Sequence, residues 1–171
     1  DDSLYIIERY PKRLCEVAGI TAKKAEQIGK RFEIQNAMML LMEFLVENEL
    51  PPEVAVALCH NYGKRASEIV RENPYILSDE AIGVPFYKAD RLAINMGFEA
   101  SSRERLTAAV LYELRFNSES GHTFLPRNKL ILATATLLSV EESEIDETVE
   151  RLIKSHEIIS EKICGVDACY L

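Results

Sequence analysis

Hydrophobic residues recur with a period near 3.6 along most of the chain, and this pattern predicts a mainly α-helical protein. Between residues 34 and 46 nearly every helical face is apolar, which predicts a helix at the centre of the core. Thr21 suits the N-cap of one helix, and Gly63 suits the position that closes another. The predicted helices cover residues 4–9, 12–17, 21–31, 34–46, 52–62, 64–72, 86–96, 103–118, 126–138 and 143–155.

The pattern changes after Gly121, where two helices joined by a short turn precede a β-hairpin over residues 158–164 and 167–171. Helix, turn, helix and hairpin is the order typical of a winged-helix-like module. The second of these helices carries several acidic residues, so we expect it to pack against neighbours rather than read DNA. Those residues are Glu144, Asp146, Glu147 and Glu150.

An internal duplication is the most informative feature of the chain. The segment Ile6-Ile7-Glu8-Arg9-Tyr10-Pro11 aligns with Ile69-Val70-Arg71-Glu72-Asn73-Pro74, and the alignment continues when one residue is inserted. It predicts two copies of one supersecondary unit within residues 1–100, followed by the winged-helix-like part over residues 101–171. The further aligned pairs are Gly19 with Gly83, Ile20 with Val84, Ala25 with Ala89 and Ile28 with Leu92.

Each copy begins with a glycine followed directly by an apolar residue. An alanine stands five positions after that apolar residue, and a second apolar residue follows the alanine by three positions. The glycine permits a tight turn with positive φ between two short helices, and the alanine lets those helices approach closely. We expect Ile28 or Leu92 to seal the contact. Backbone N–H groups then remain exposed at a helix N-terminus, where they can hold a phosphate. This predicts tandem helix-hairpin-helix units, although a glycine turn that serves only packing would leave the same pattern.

The basic residues near the two turns make the first turn the better candidate for binding DNA. Lys23 and Lys24 flank the first turn, whereas the second turn offers Lys88 and Arg91 beside Asp90. Pro85 removes one N–H donor from the second turn, so phosphate binding is expected chiefly at the first. The candidates are Gly19, Ile20, Thr21, Lys23, Lys24, Gly83, Val84, Lys88 and Arg91.

The formal net charge of −8 argues against a globally basic DNA binder, because phosphate neutralisation supplies most of the affinity for nucleic acid. The charge is unevenly spread, however. Residues 12–31 hold six Lys and Arg against two glutamates, whereas residues 34–60 hold four glutamates and no Lys or Arg. A local positive face on an acidic body is therefore expected.

Other sequence features bear on the location of the protein and on possible metal sites and disulfides. No apolar run approaches the ~20 residues that span a bilayer, so we expect a cytoplasmic protein without membrane contact. The four cysteines are scattered and no histidine stands at ligand spacing, which predicts neither a zinc site nor disulfides.

Four stretches in this order are similar to the N-terminal region of RecD-like ATP-dependent DNA helicases, relatives of the exodeoxyribonuclease V alpha subunit. They are ERYPKRLCEVAGITAKKAEQI, CHNYGKRASEIVRENPYIL, AIGVPFYKADRLAINMGF and GHTFLPRNKLILATATLLSV. The resemblance implies a helix-hairpin-helix region in front of a motor that moves 5′ to 3′ on single-stranded DNA during repair or recombination. Thr21 and Pro85 stand where that family usually has a second glycine.

The motor itself has no counterpart in these residues, since no G-x-x-x-x-G-K-[ST] loop occurs. We therefore expect no catalysis and no cofactor in this chain, while the resemblance implies ATP and Mg²⁺ for the full-length parent. Lys88 could serve as a Schiff-base nucleophile of a glycosylase, but a solvated lysine is the better interpretation.

Two hypotheses remain open. In the first, the chain is an accessory domain that binds single-stranded or junction DNA through its phosphates. In the second, it is a docking module that packs on the helicase motor or on a partner without touching DNA. An enzymatic activity of the chain alone is a third, less favoured alternative.

Overall fold

The computed structural model describes residues 2–171, with side chains from Leu4 onward. The chain forms two compact units, an N-terminal unit of residues 1–72 and a C-terminal unit of residues 73–171. This division by packing differs from the boundary expected after residue 100, which concerns sequence modules and stays a prediction. No helix within the described residues is both long and apolar enough to cross a membrane.

The regular elements of the N-terminal unit are all helices in the residues that the structure describes. Its second and longest helix is continuous over 26 residues, although the sequence pattern suggested two separate helices there. No glycine or proline interrupts residues 30–35, so nothing in the chain ends the helix at that point. The elements are α1 (Asp2–Arg9), a 3₁₀ helix (Pro11–Glu16), α2 (Ala22–Glu47), α3 (Val54–Tyr62), a 3₁₀ helix (Gly63–Arg65) and α4 (Ala66–Glu72).

Helix α2 buries different faces at its two ends. Ala25 and Gly29 are buried near the start, and Leu41 and Leu45 are buried near the end. At 3.6 residues per turn, Ala25 and Leu41 point about 160° apart. The first half therefore packs on α1 and the 3₁₀ helix before it, and the second half packs on α3 and α4.

This arrangement corrects the expectation that residues 34–46 lie at the centre of the core. Ile34, Met39, Leu40 and Val46 are each about half exposed. Because the surrounding elements of the unit cover only one side of this half of α2, apolar residues on the remaining faces stay at the surface.

The C-terminal unit contains the second hairpin and all the strands. Most helix bounds agree with the sequence pattern to within one or two residues. The elements are a 3₁₀ helix (Pro74–Ser78), α5 (Phe86–Asn95), α6 (Arg103–Glu119), β1 (Leu125–Pro126), α7 (Arg127–Leu138), α8 (Glu142–Lys154), β2 (Ile159–Ile163) and β3 (Val166–Tyr170).

The strands form an antiparallel sheet in the order β1-β3-β2. Ile163 pairs with Val166 across the hairpin, and Leu125 pairs with Cys169 on the other edge of β3. Both turn residues, Cys164 and Gly165, have positive φ, as a two-residue turn of type I′ requires. The turn lies one residue earlier than the predicted strands placed it. The predicted hairpin and the mainly helical, winged-helix-like fold are confirmed. The two-residue strand β1 was not predicted, because a pair ending in proline carries no strand pattern.

The acidic helix α8 packs against α7 in the winged-helix-like module. Arg127, at the start of α7, donates from Nη2 to Oδ1 of Asp146 at 2.6 Å and from Nη1 to Oε1 of Glu150 at 2.5 Å. Two of the four acidic residues noted on α8 are therefore paired within the module, which supports a packing role for this helix.

A nearly buried ion pair joins α5 to α6. Arg105 donates from Nε to Oδ1 of Asp90 at 2.7 Å and from Nη2 to Oδ2 at 3.0 Å. Its Nη1 donates to the carbonyl of Ala100 at 2.8 Å, and the hydroxyl of Tyr75 donates to Oδ1 of Asp90 at 2.8 Å. The Arg105 side chain is 9% exposed and that of Asp90 is 15% exposed. Burial and the hydrogen bond to Asp90 raise the pKa of the Tyr75 hydroxyl.

We expect Arg105→Met to destabilise the C-terminal unit by about 3–5 kcal/mol, because it leaves the Asp90 carboxylate buried without its cation. Tyr75→Phe should cost only about 1 kcal/mol, since the ring keeps its stacking on Phe86 while one hydrogen bond is removed. Urea unfolding followed by circular dichroism measures both effects. Arg65→Met, which breaks the exposed Arg65–Glu68 pair, is the matched control and should change little. Equal losses in the free energy of unfolding for Arg65→Met and Arg105→Met would contradict a stabilising role for the buried Arg105–Asp90 pair.

We expect Gly29→Ala to lower the melting temperature even though alanine favours a helix by about 1 kcal/mol. A Cβ at this position would lie 2.9 Å from Cβ and 3.3 Å from Cγ of Pro11, and the proline ring cannot rotate away. Overpacking of this kind costs about 1–3 kcal/mol. Gln27→Ala, at an exposed position of the same helix, is the control and should be neutral or slightly stabilising. A higher melting temperature for Gly29→Ala would show that the crossing at Pro11 is not tight.

Candidate nucleic-acid interface

The first hairpin lies between the 3₁₀ helix Pro11–Glu16 and α2. Gly19 has a φ of 90°, which confirms the predicted left-handed turn. The N–H of Ile20 donates to the carbonyl of Val17 at 3.2 Å and closes this turn. Thr21 caps α2, since its hydroxyl accepts from the N–H of Lys24 at 3.3 Å.

The start of α2 leaves backbone donors available. Within the described residues, the N–H groups of Thr21, Ala22 and Lys23 have no acceptor. They stand at the positive end of a long helix dipole, where an anion is stabilised. Lys23 and Lys24 are exposed and have no ion-pair partner in the described part of the chain. The turn therefore combines free N–H donors with two unpaired cations.

The remaining basic residues of this region are not equally available. Arg13 is paired with Glu16 at 3.3 Å, and Lys30 is paired with Glu26 at 2.6 Å. Arg31 has no ion-pair partner among the described residues and follows Lys24 by seven positions, so both lie on one face of α2. The available positive charge therefore starts at the turn and continues along this face.

Ile28 lies on the same face as Lys24 and is 37% exposed, which corrects the expectation that it seals the hairpin. The residue that fills the crossing is Gly29, which is buried against Pro11. In the second copy, Leu92 is buried as expected, and Ala93 occupies the position equivalent to Gly29 and is fully buried. Both copies thus place small residues four positions apart, Ala25 with Gly29 and Ala89 with Ala93.

The second hairpin uses most of its own donors. Gly83 has a φ of 78°, as predicted, but its N–H donates to the carbonyl of Asp79 at 2.8 Å. The N–H of Val84 donates to the carbonyl of Leu77 at 2.9 Å, and Pro85 has none to offer. In the described chain, only the N–H groups of Phe86 and Tyr87 lack an acceptor at the start of α5.

The side chains of the second hairpin are also less suited to phosphate. Val84 is buried and Lys88 is half-buried. Asp90, the acidic neighbour of Lys88 and Arg91, is held by Arg105 and Tyr75. The nine candidate residues therefore fall into two groups with different surroundings, and their contact with DNA stays a prediction.

The two units differ in charge. Residues 1–72 contain ten Lys and Arg against twelve Asp and Glu, whereas residues 73–171 contain ten against sixteen. The excess negative charge of the chain is thus concentrated in the C-terminal unit. No group of His, Cys, Asp and Glu side chains suited to a metal ion occurs among the described side chains of residues 4–171.

Sequence reasoning missed two residues that shape the hairpins. Gly29 was overlooked because the repeated pattern concerns apolar residues at that end of the hairpin rather than small ones. Arg105 was overlooked because a single arginine in an amphipathic helix is usually solvated, and its partner Asp90 stands 15 positions earlier. A glycine inside a long helix was the one available signal, since such a glycine often marks a close approach.

Tandem helix-hairpin-helix units followed by a winged-helix-like module define the class of this protein. Residues 34–124 match the family described as the ATP-dependent RecD2 DNA helicase HHH domain. The match covers more than half of the chain, and the chain belongs to this family. The matched segment contains the Gly83 hairpin and begins after the Gly19 hairpin.

Proposed function

We propose that this chain is a non-catalytic accessory region of a RecD-like 5′ to 3′ DNA helicase and binds DNA phosphates without sequence preference. The contact is made by the first hairpin. The observation that carries the proposal is the coincidence, at the start of α2, of unbonded N–H groups with the unpaired side chains of Lys23 and Lys24.

Such a site holds phosphate by charge and by backbone donors, neither of which distinguishes one base from another. Single-stranded or junction DNA is the expected ligand, because a helicase presents these structures to the region in front of its motor. ATP and Mg²⁺ act in that motor, which lies in the full-length parent.

A docking role is the second candidate, and it applies to the C-terminal unit. The N–H groups of Gly83 and Val84 in its hairpin are bonded internally, and the unit carries six more acidic than basic residues. This unit is therefore better suited to pack on the motor or on a protein partner than to meet phosphate. The two roles are compatible, since each belongs to a different unit.

We expect the double variant Lys23→Glu with Lys24→Glu to lower the affinity for single-stranded DNA at least tenfold, because two attractions to phosphate become repulsive. The dependence of log K on log salt should also become shallower by about 0.7 for each phosphate that the protein no longer neutralises. Fluorescence anisotropy with labelled oligothymidylate and with a mixed-sequence oligonucleotide, over a salt series, measures both quantities. The two oligonucleotides should bind alike.

Lys129→Glu with Lys162→Glu is the matched control, because it changes two exposed lysines and the net charge by the same amount. It should change affinity much less. If both double variants weaken binding equally, the contact is a general charge effect and the first hairpin is not the site. If the unsubstituted chain shows no salt-sensitive binding, the proposal is wrong.

A further inference from the structure

An open groove lies beside the second hairpin, wholly within the C-terminal unit. Its volume is about 530 Å³. One wall is the hairpin loop from Ser78 to Phe86, and the other is the second half of α6, with Leu171 at one end. The groove therefore lies between the second hairpin, which holds candidate DNA-binding residues, and α6, for which the sequence predicted no function.

Four aromatic rings lead from the core to this groove. The rings of Tyr75 and Phe86 stack at 6.0 Å between centroids, those of Phe86 and Tyr112 at 5.2 Å, and those of Tyr112 and Phe116 at 6.0 Å. Planes of neighbouring rings differ by only 22–28°. Phe116 ends the series in the groove wall and is 53% exposed. A further flat group could stack there without any rearrangement of the core.

The groove is rimmed by carboxylates. Asp79, Glu80 and Glu119 line it, and Arg115 is its one cation. Nη1 of Arg115 donates to the carbonyl of Ser78 at 2.9 Å, and its Nη2 lies 4.0 Å from Oδ1 of Asp79. Because this guanidinium is already engaged, an incoming ligand meets mainly negative charge.

We infer that this groove binds an arginine-bearing basic peptide segment of a protein partner. The guanidinium is planar and cationic, so it can stack on the exposed face of Phe116 while its N–H groups face the carboxylates. A nucleic-acid strand would bring phosphates to the rim of a unit with excess negative charge, which disfavours it. Lysine would keep the charge attraction but lose the flat stacking and the forked hydrogen bonds.

The inference uses no residue of the first hairpin and does not depend on the proposed DNA contact. It gives a role to the second hairpin, whose loop supplies a wall of the groove. Loss of DNA binding on substitution of Lys23 and Lys24 would leave it unaffected.

The test uses the 171-residue chain and a fluorescein-labelled peptide, Gly-Ser-Arg-Gly-Ser-Arg-Gly-Ser-Arg, with anisotropy as the measurement. A second peptide has lysine in place of each arginine. We expect the arginine peptide to bind more tightly than the lysine peptide. Phe116→Leu should weaken the arginine peptide by about fivefold and leave the lysine peptide nearly unchanged, because it removes the ring face but keeps an apolar side chain.

Matched variants separate the groove from general charge attraction. Glu80→Gln with Glu119→Gln should weaken the arginine peptide, whereas Glu142→Gln with Glu147→Gln on α8 should not, although the net charge changes equally. Tyr87→Leu removes an exposed ring outside the groove and should also have no effect. Circular dichroism of each variant confirms that the fold is kept.

Three results would overturn the inference. One is the absence of binding of the arginine peptide, and another is equal weakening by the groove and α8 variants. The third is an oligonucleotide whose binding Phe116→Leu weakens while the arginine peptide fails to bind, because the groove would then hold a base.

Discussion

The C-terminal unit depends on one ion pair, between Arg105 and Asp90. Asp90 lies on α5, the second helix of a hairpin, and Arg105 lies on the first turn of α6. A buried arginine needs its donors satisfied, and here they meet the Asp90 carboxylate and the carbonyl of Ala100, while the Tyr75 hydroxyl donates to the same carboxylate. Removing one partner is far more costly than the pair's net gain, so the arrangement fixes the position of α5 against α6.

The two copies of the sequence pattern differ in their contacts, and the ion pair belongs to the second copy alone. In the first copy Gly29 of α2 packs closely on Pro11, and the backbone N–H groups at the start of α2 remain free. In the second copy the turn is bonded to Asp79 and Leu77, and the helix after it is bonded to Arg105. The same local geometry therefore leaves N–H donors free in one place and builds a groove wall in the other.

Local patterns predicted local structure well. The positive φ at Gly19 and Gly83 followed from glycine between two helical segments. The C-terminal hairpin followed from its two strand patterns, although its turn lies at Cys164 and Gly165, one residue earlier than those patterns indicated. The exposure of Lys23 and Lys24 could also be predicted from the sequence, since charged residues flanking a turn are seldom buried. These features depend on residues close together in the chain.

What escaped prediction depends on tertiary packing. The helical period of α2 could not show that its two halves bury opposite faces, because the partners of each half come from different segments. Whether Ile28 or Gly29 fills the crossing depends on the rotation of α2 against Pro11. The internal bonding of the second hairpin's N–H groups required the positions of carbonyls on Asp79 and Leu77. The sequence thus named the candidate residues and, through Pro85 and the lysines, favoured the first hairpin, but it could not show that the N–H groups of Gly83 and Val84 are bonded internally.

We propose that the two hairpins have the same local form but different roles. Hydrogen–deuterium exchange of the chain with and without single-stranded DNA tests this proposal, because exchange reports on the backbone N–H groups of both hairpins. We expect DNA to slow exchange around residues 19–24 and to leave residues 83–88 unchanged. Equal protection of both hairpins, or protection of the second alone, would contradict it.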